Sequence, residues 1–282
     1  MSSFASVLSL GRRMLRKNEP RPVIKLKSPR EIGLMRDAGR LVAQALERVR
    51  AMAAPGVTTA DFDEAVAAMF REHGATPLFK GYPSTTKGKP PFPAVICASV
   101  NDQIVHGIPN RRPLRDGDVV SIDTGCKLNG WCGDSATTVA IGPVRPEIAK
   151  LMTVTQDTLD LAIRAMERCR YWSEVASLME RYVKSQGMYV IEQFVGHGIG
   201  QDMHEEPQVP NFVSKALRQN DIRLEPGLVL AVEPMVALGS KEVKTLDDGW
   251  TIMTKDRGVS AHFEHTVAMT PTGPRVLTYL ED

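Results

Sequence analysis

The chain has 282 residues, of which 43% are hydrophobic and 24% are charged, and its formal net charge is +2. This composition is that of a globular protein with a sizeable core, and so small a charge gives no support for whole-molecule binding to nucleic acid or to a membrane surface. No apolar run approaches the ~20 residues of a membrane-spanning helix. The four cysteines contain no CxxC pair, so neither a zinc finger nor a disulfide framework is indicated, and a reducing cytoplasm is the expected location.

The chain begins with a basic segment. Residues 1–22 contain one acid, Glu19, and lack both the apolar core and the cleavage site of a signal peptide. Their basic residues are Arg12, Arg13, Arg16, Lys17 and Arg21. We expect a flexible tail here, with an organelle-targeting peptide as the alternative, followed by a single domain over residues 23–282.

Two amphipathic helices are predicted after this tail. Ser28 and Glu31 form a capping box, and the apolar residues behind them keep helical spacing. Thr58 or Thr59 caps the second helix, and Gly74 lies where a helix C-cap glycine belongs.

The same pattern returns later in the chain. Pro146 begins another long helix, Ser173 caps a shorter one, and Gly187 closes it. The chain therefore divides into two related halves, residues 28–142 and 143–280. Short β-rich runs follow each helix pair, which predicts an α+β fold with an antiparallel or mixed sheet. The expected strands are 119–124, 131–141, 189–195, 228–232, 250–253 and 267–269.

Four carboxylates lie inside apolar, strand-like runs. They are Asp123, Asp134, Glu233 and Glu264. Acidic residues are poor strand formers, and a buried carboxylate is unstable unless a cation or hydrogen bonds compensate its charge. One such residue is more often a satisfied turn residue, whereas four of them indicate a cation.

Hairpin geometry places two of these carboxylates side by side. Asn129-Gly130 is a strong two-residue hairpin turn. The pairing that this turn sets puts Asp123 opposite Ala136, with Asp134 one diagonal step away on the same face, at roughly 7–8 Å. Carboxylates so placed can hold two metal ions ~3.5–4 Å apart if one carboxylate bridges them.

Three histidines have unusual neighbours. His197 lies in Gly-His-Gly-Ile-Gly, where the backbone can approach a ligand closely, and it is the candidate nitrogen ligand. His106 precedes Gly-Ile-Pro, and His204 precedes Glu-Glu-Pro. A lone histidine is usually a packed or surface residue, but three of them beside four strand carboxylates favour a metal-dependent active site.

These motifs, in this order, resemble those of the type I methionine aminopeptidases, which are metallopeptidases of family M24 with the pita-bread fold. The resemblance covers roughly residues 24–279. It implies an α+β fold in which two pseudo-symmetric α/β halves surround a curved antiparallel sheet. Type I is favoured because only 28 residues separate His204 from Glu233, where type II enzymes carry a long helical insertion.

The resemblance also implies the metal ligands. Two divalent ions are expected, with Asp123 on one, His197 and Glu233 on the other, and Asp134 and Glu264 bridging both. One imidazole and four carboxylates favour cobalt, manganese or iron, with zinc as an alternative. Two ions that share a water lower its pKa toward neutrality, so that a hydroxide nucleophile is available.

Catalytic and pocket residues follow from the same resemblance. Glu233 exchanges protons between the nucleophile and the leaving amine, His204 stabilises the oxyanion, and His106 contacts the substrate on its peptide-nitrogen side. The methionine pocket is expected from Phe79, Tyr82, Cys97, Met203 and Trp250, although each of these alone is equally well explained as a core residue.

Two positions depart from the family pattern. Met203 stands where an aromatic residue is common, and His262 stands where glutamine is common, two places before the last ligand. Both leave the ligand set complete. They leave open the shape of the pocket and the hydrogen bonding around the ligands.

The expected reaction is removal of the initiator methionine from nascent polypeptides whose second residue is small. Xaa-Pro aminopeptidases and dipeptidases share the fold and the ligands, and they are the alternative; His106-Gly-Ile-Pro109 and the pocket residues Tyr82 and Trp250 favour the methionine enzyme. The complete set of candidate ligands argues against a non-catalytic binding protein of the same fold.

The family implies a monomer. The basic tail is a candidate ribosome-binding segment, with a tail that binds nothing as its alternative.

Residues 84–94 form a loop insertion. The family usually has only a few residues between the Gly-Tyr-Pro word and the cysteine that matches Cys97. Three prolines stiffen the second half of the insertion. Since it leaves the chain beside Tyr82 and returns beside Cys97, we expect it to border the pocket entrance and to tune access for long substrates more than for short ones. An exposed loop without effect is the alternative.

Overall fold

The structure is a computed structural model that describes residues 23–84, 86 and 88–281. The basic tail at residues 1–22 lies outside the described residues, as do Thr85 and Lys87 of the insertion. Among the residues described, no helix is long and apolar enough to cross a membrane.

Helices and strands follow the predicted α+β order, in which each helix pair precedes a group of strands. The described residues form α1 (Pro29–Met52), α2 (Thr59–Glu72), β1 (Thr76–Pro77), β2 (Ile96–Val100), β3 (Gln103–Val105), β4 (Val119–Leu128), β5 (Trp131–Ala140), α3 (Pro146–Met166), α4 (Trp172–Ser185), β6 (Tyr189–Val190), β7 (Gly196–Gly198), β8 (Glu205–Val209), α5 (Lys215–Gln219), β9 (Val229–Val232), β10 (Met235–Ala237), β11 (Val243–Thr245), β12 (Ile252–Thr254), β13 (Ser260–His262), β14 (Glu264–Thr270) and β15 (Gly273–Val276).

The first two helices begin at the predicted caps. The Ser28 hydroxyl accepts the Glu31 N–H, and the Glu31 carboxylate accepts the Ser28 N–H at 2.7 Å. Thr58 and Asp61 repeat this reciprocal arrangement at the start of α2. Such caps satisfy N–H groups that the first helical turn leaves without partners.

Two predictions about element bounds are wrong. Ser173 does not cap α4, because the helix already begins at Trp172 and the Ser173 hydroxyl donates to Asp221, which is distant in sequence. The strand expected over 189–195 is only Tyr189–Val190, because its partner strand β10 is itself only three residues long.

One large sheet takes strands from both parts of the chain. Its order among the described residues is β1-β4-β5-β14-β9-β7-β8, with β2 beside β4 and β15 beside β14. These pairings are antiparallel, as predicted. Strands β4 and β5 pair along their whole length from the Asn129-Gly130 turn, and Asp123 lies opposite Ala136, as the turn predicts.

Two smaller sheets complete the β-structure of the described residues. Each has three strands, in the orders β13-β10-β6 and β11-β12-β3.

Each helix pair buries its own apolar cluster. Phe62 and Phe70 of α2 pack with α1 and the strands beside it, whereas Trp172 of α4 lies in a second cluster with α3. Ile122 belongs to the first cluster, so the next residue of β4, Asp123, points to the opposite face of the sheet. The division into halves at residue 142 stays a prediction.

Candidate metal centre

Five neighbouring strands bring the predicted ligands together. Asp123 is in β4, Asp134 is in β5, Glu264 begins β14, Glu233 directly follows β9, and His197 is in β7. These five strands are consecutive neighbours in the large sheet. The five side chains line one pocket.

The ligand atoms lie close to one another. Asp134, His197 and Glu264 each offer one ligand atom, and these three atoms lie within 4.8 Å of one another. Glu233 Oε1 is 3.6 Å from His197 Nε2. Asp123 lines the same pocket, two positions along the ladder from the residue that faces Asp134.

The chemistry of this group fits a divalent metal ion. Asp123 Oδ1, Asp134 Oδ1 and Glu264 Oε1 are buried, and no residue that the structure describes gives them a hydrogen bond. Buried acceptors of this kind are costly, and hard divalent ions are the partners that carboxylate oxygens prefer. His197 Nδ1 lies 3.0 Å from Gly198 O, so Nδ1 carries the proton and the Nε2 lone pair is free to bind a metal.

Burial favours the neutral form of each candidate ligand. Burial, and then the charge of Asp134, raise the pKa of Asp123, Glu233 and Glu264 well above the ordinary range. Burial also raises the pKa of Asp134 to about 7. The pKa of His197 falls to about 4 for the same reason, so its imidazole is neutral near pH 7, which is the form that binds metals.

We expect chelator-treated protein to lose thermal stability as the pH rises from about 7 to about 8. The pKa of Asp134 is raised to about 7 from an ordinary 3.8, so its own contribution to stability is lost mostly between these two values. The loss above pH 7 comes from Asp123, Glu233 and Glu264, whose pKa values burial raises well above the ordinary range. Unfolded histidines are largely neutral in this window, and unfolded thiols begin to titrate at its upper end, where the raised pKa values of the buried thiols lower stability in the same direction.

The melting temperature followed by circular dichroism, with and without an added divalent metal ion, measures this effect. Metal should raise the Tm most at the upper end of the window, where the carboxylates need compensation. A Tm that is flat or rising in the chelator-treated protein would contradict the charge assignment.

Two predicted histidines border the ligands. The ring centre of His204 is 4.2 Å from that of His197, and the Tyr82 hydroxyl lies 3.4 Å from His204 Nδ1. His106 packs edge-to-face against Phe194, with ring centres 5.5 Å apart. Burial lowers the pKa of His106 to about 4 and the pKa of His204 well below its ordinary value, so both rings are neutral at physiological pH.

Close packing explains why a glycine follows His106. A Cβ at Gly107 would lie 2.3 Å from the carbonyl oxygen of Ala98, so no larger residue fits. His106 itself has a φ of 59°, a conformation that few residues adopt. The close approach of the two chain segments therefore holds this histidine at the pocket.

The predicted pocket residues form an apolar wall beside the ligands. They are Phe79, Tyr82, Cys97, Met203 and Trp250. Cys97 pairs with Asp123 across β2 and β4, and burial raises the pKa of its thiol, so the wall has no charge there. Phe92, which the resemblance does not predict, lines the same pocket. One feature of the sequence could have predicted this position: Phe92 is an aromatic residue between two prolines, in an insertion that joins two pocket residues.

His262, for which the resemblance leads one to expect glutamine, faces the candidate ligand Glu233. Its Nε2 lies 3.8 Å from Glu233 Oε2. Thr138 holds its backbone twice: the Thr138 hydroxyl donates to His262 O at 2.7 Å and accepts the His262 N–H at 3.0 Å. Burial lowers the pKa of His262 to about 3, so a neutral imidazole stands beside Glu233.

A wider cleft adjoins the pocket. Three candidate ligands and two further histidines line both the pocket and the cleft: Asp123, His197, Glu233, His106 and His204. The cleft continues past them to Lys25, Phe194, Asp202, Glu206 and Gln208. An extended chain could therefore pass from the apolar pocket, across the ligands and into the cleft.

The sequence model of metallopeptidase family M24 matches residues 33–271. Methionine aminopeptidase 1 of Bacillus subtilis is 43% identical over 256 residues, which cover 91% of this chain and 99% of the relative. The crystal structure of methionine aminopeptidase from Thermotoga maritima superposes with a TM-score of 0.84 at 36% identity and covers 91% of this chain and 99% of its own.

A more distant likeness shows the fold only. The prolidase of Pyrococcus horikoshii superposes with a TM-score of 0.71 at 18% identity, over 91% of this chain and 64% of the prolidase. The pita-bread fold that the resemblance implies is thus confirmed. The chain belongs to metallopeptidase family M24, and within that family to the methionine aminopeptidases.

Proposed function

We propose that this methionine aminopeptidase uses two divalent metal ions to remove the first methionine from proteins whose second residue is small. One observation carries the proposal. Carboxylate oxygens that receive no hydrogen bond from the described residues converge with a neutral histidine beside an apolar pocket. This pairing suits cleavage next to an apolar first side chain.

In the proposed centre Asp123 would hold one ion, His197 and Glu233 would hold the other, and Asp134 and Glu264 would be shared by the two. Cobalt, manganese or iron suits this set of one imidazole and four carboxylates. When bound, the ions polarise the scissile carbonyl and lower the pKa of water, so that a nucleophile exists near neutral pH.

The proton transfers fall to Glu233 in this proposal. Its side chain is 13% exposed and borders both the pocket and the cleft. Metal charge would compensate the burial that raises the pKa of Glu233, and the ionised carboxylate could then accept a proton from the nucleophile and return it to the leaving amine. The Asn211 amide donates to Glu233 O at 3.0 Å, which holds the backbone of this residue in place.

His204 is the proposed oxyanion donor. Burial raises the pKa of Tyr82 to about 12, so its hydroxyl stays protonated and can donate to His204 Nδ1. The proton of the neutral ring then resides on Nε2, where it can be donated to the developing oxyanion. His106, whose ring centre lies 6.5 Å from that of Trp250, is proposed to contact the substrate on its peptide-nitrogen side.

We expect metal-dependent release of methionine from Met-Ala-Ser. Release from Met-Lys-Ser should be slower by about tenfold or more, and Ala-Pro-Ser should not be cleaved. Chromatography of the products and metal analysis of the protein measure these outcomes. Preferred cleavage of Ala-Pro-Ser would overturn the methionine assignment. Equal cleavage of the two methionine peptides would overturn the selectivity for a small second residue.

Four further features complete the proposal. The substrates are protein N-termini, and we propose that the enzyme meets them on nascent chains in the cytoplasm as a monomer. The basic tail at residues 1–22, outside the described residues, would then contact ribosomal RNA through phosphate groups.

A further inference from the structure

His204 lies in an irregular loop. Residues 200–204 join β7, which carries His197, to β8, and they form neither helix nor strand. The antiparallel ladder between β7 and β8 is itself interrupted, because its register shifts between His197 and Gly198. Regular backbone pairing therefore does not fix this loop, and other contacts have to hold the His204 ring beside the candidate ligands.

The carboxylate of Glu205, the residue after His204, folds back onto the loop. Its Oε1 accepts the Gln201 N–H at 3.1 Å and the Asp202 N–H at 3.4 Å. Its Oε2 accepts the Lys27 ammonium at 2.8 Å. Donors from two distant parts of the chain thus converge on one carboxylate, and hydrogen bonds to an ionised group are stronger than those between neutral groups.

Lys27 is fixed in turn by the start of the domain. It directly precedes the Ser28 cap of α1, and its N–H donates to Gly227 O at 2.7 Å. Its ammonium donates a second hydrogen bond, to Lys25 O at 2.8 Å. The ion pair therefore ties the His204 loop to the beginning of α1, which is far from the loop in sequence.

The ion pair is buried against the loop. The Lys27 and Glu205 side chains are 4% and 7% exposed. A Cβ at Gly200 would be 2.5 Å from Glu205 Oε1 and 2.7 Å from Lys27 Cε, so a larger residue there would displace the pair. A buried ion pair often stabilises a fold no more than apolar residues of the same volume do, because both charges must leave water. Its directional hydrogen bonds, however, can specify one arrangement of a loop.

We propose that Lys27 and Glu205 are positioning residues, and that their ion pair holds the loop in the conformation that aims His204 at the scissile carbonyl. The inference rests on the proposed function, in which His204 is the oxyanion donor. Both carboxylate oxygens of Glu205 are engaged, one by the loop and one by Lys27. The pair therefore acts through His204 and not by binding the substrate.

The kinetic test compares Lys27→Met with Lys241→Met. Methionine keeps much of the side-chain length and removes the charge. Lys241 pairs with Glu192 at 2.7 Å, and their side chains are 46% and 34% exposed, so the control makes the same change at an ion pair that solvent reaches. We expect Lys27→Met to lower kcat on Met-Ala-Ser by about tenfold to a hundredfold with KM nearly unchanged, because a small misplacement of a group that acts in the transition state is costly. Lys241→Met should match the wild type.

A double-mutant cycle with His204→Ala identifies the residue through which the pair acts. In the His204→Ala background, Lys27→Met should change kcat by no more than about twofold, because the group that it misplaces is already absent. An equal loss in both backgrounds would overturn the inference, since the pair would then act on another part of the site. A wild-type kcat in folded Lys27→Met, or in His204→Ala, would overturn it as well.

A second variant covers a failure to fold. Lys27→Met leaves the charge of Glu205 buried without its partner, which is strongly destabilising. If that protein does not fold, Lys27→Met combined with Glu205→Gln takes its place, because the pair of changes removes both charges. The same loss of kcat is expected, and a wild-type kcat in this folded protein overturns the inference.

The position of the His204 ring can also be measured without turnover. Its imidazole resonances, in full-length protein supplied with the diamagnetic ion Zn²⁺, are identified by their absence from His204→Ala. Lys27→Met should shift or broaden them, and Lys241→Met should not. Unchanged resonances in Lys27→Met would overturn the inference. A wild type that does not cleave Met-Ala-Ser would overturn the proposed function, and the resonances would then still decide whether the pair holds the ring.

Discussion

Replacing Asp134 with asparagine, or Glu264 with glutamine, should abolish metal-dependent methionine release. Both side chains are almost fully buried, at 3% and 2% exposure, and each has an oxygen that no described residue satisfies. In the proposed centre each binds both ions, and an amide supplies neither the charge nor the second oxygen that this requires. Metal content should fall together with activity.

The fold of these variants should survive. Removing one charge from a group of buried carboxylates relieves like-charge repulsion, so the metal-free Asp134→Asn protein should melt no lower than the metal-free wild type. Glu64→Gln is the matched control, because Glu64 is an exposed acid whose only described ion pair, with Arg111, is also exposed. Full turnover and full metal content in either ligand variant would end the bridging assignment.

His204→Ala should keep its metal and lose turnover, by ~10²–10³-fold in kcat, which is the usual cost of removing one oxyanion donor. The ring lies 4.2 Å from the His197 ring, close enough to reach a carbonyl at the metal centre. Steady-state kinetics on Met-Ala-Ser and metal analysis of the same preparation separate the two effects.

Tyr82→Phe is the companion variant. It removes the hydroxyl that faces His204 Nδ1 but keeps the aromatic wall, so it should lower kcat less than His204→Ala does. Loss of metal from His204→Ala would show that this histidine is a ligand, and unchanged kcat would exclude the oxyanion role.

Much of the local structure could be predicted because short-range interactions decide it. The cap at Ser28 and the turn at Asn129-Gly130 each depend on residues within a few positions of one another. The turn alone sets the register that places Asp123 opposite Ala136, since the side-chain period of a strand is two. Acidic residues within apolar runs gave a further signal, because an uncompensated buried charge is too costly to occur by chance.

Other features depend on contacts between residues far apart in the chain, and no local pattern contains them. The order β4-β5-β14-β9-β7 brings Glu264 next to the hairpin that carries Asp123 and Asp134, although more than a hundred residues lie between them. Ser173 bonds to Asp221 instead of capping a helix for the same reason. The Phe92 ring is buried against Trp250, which is distant in sequence and donates to the carbonyl of Pro90, and burial of an aromatic ring depends on what the rest of the fold places beside it.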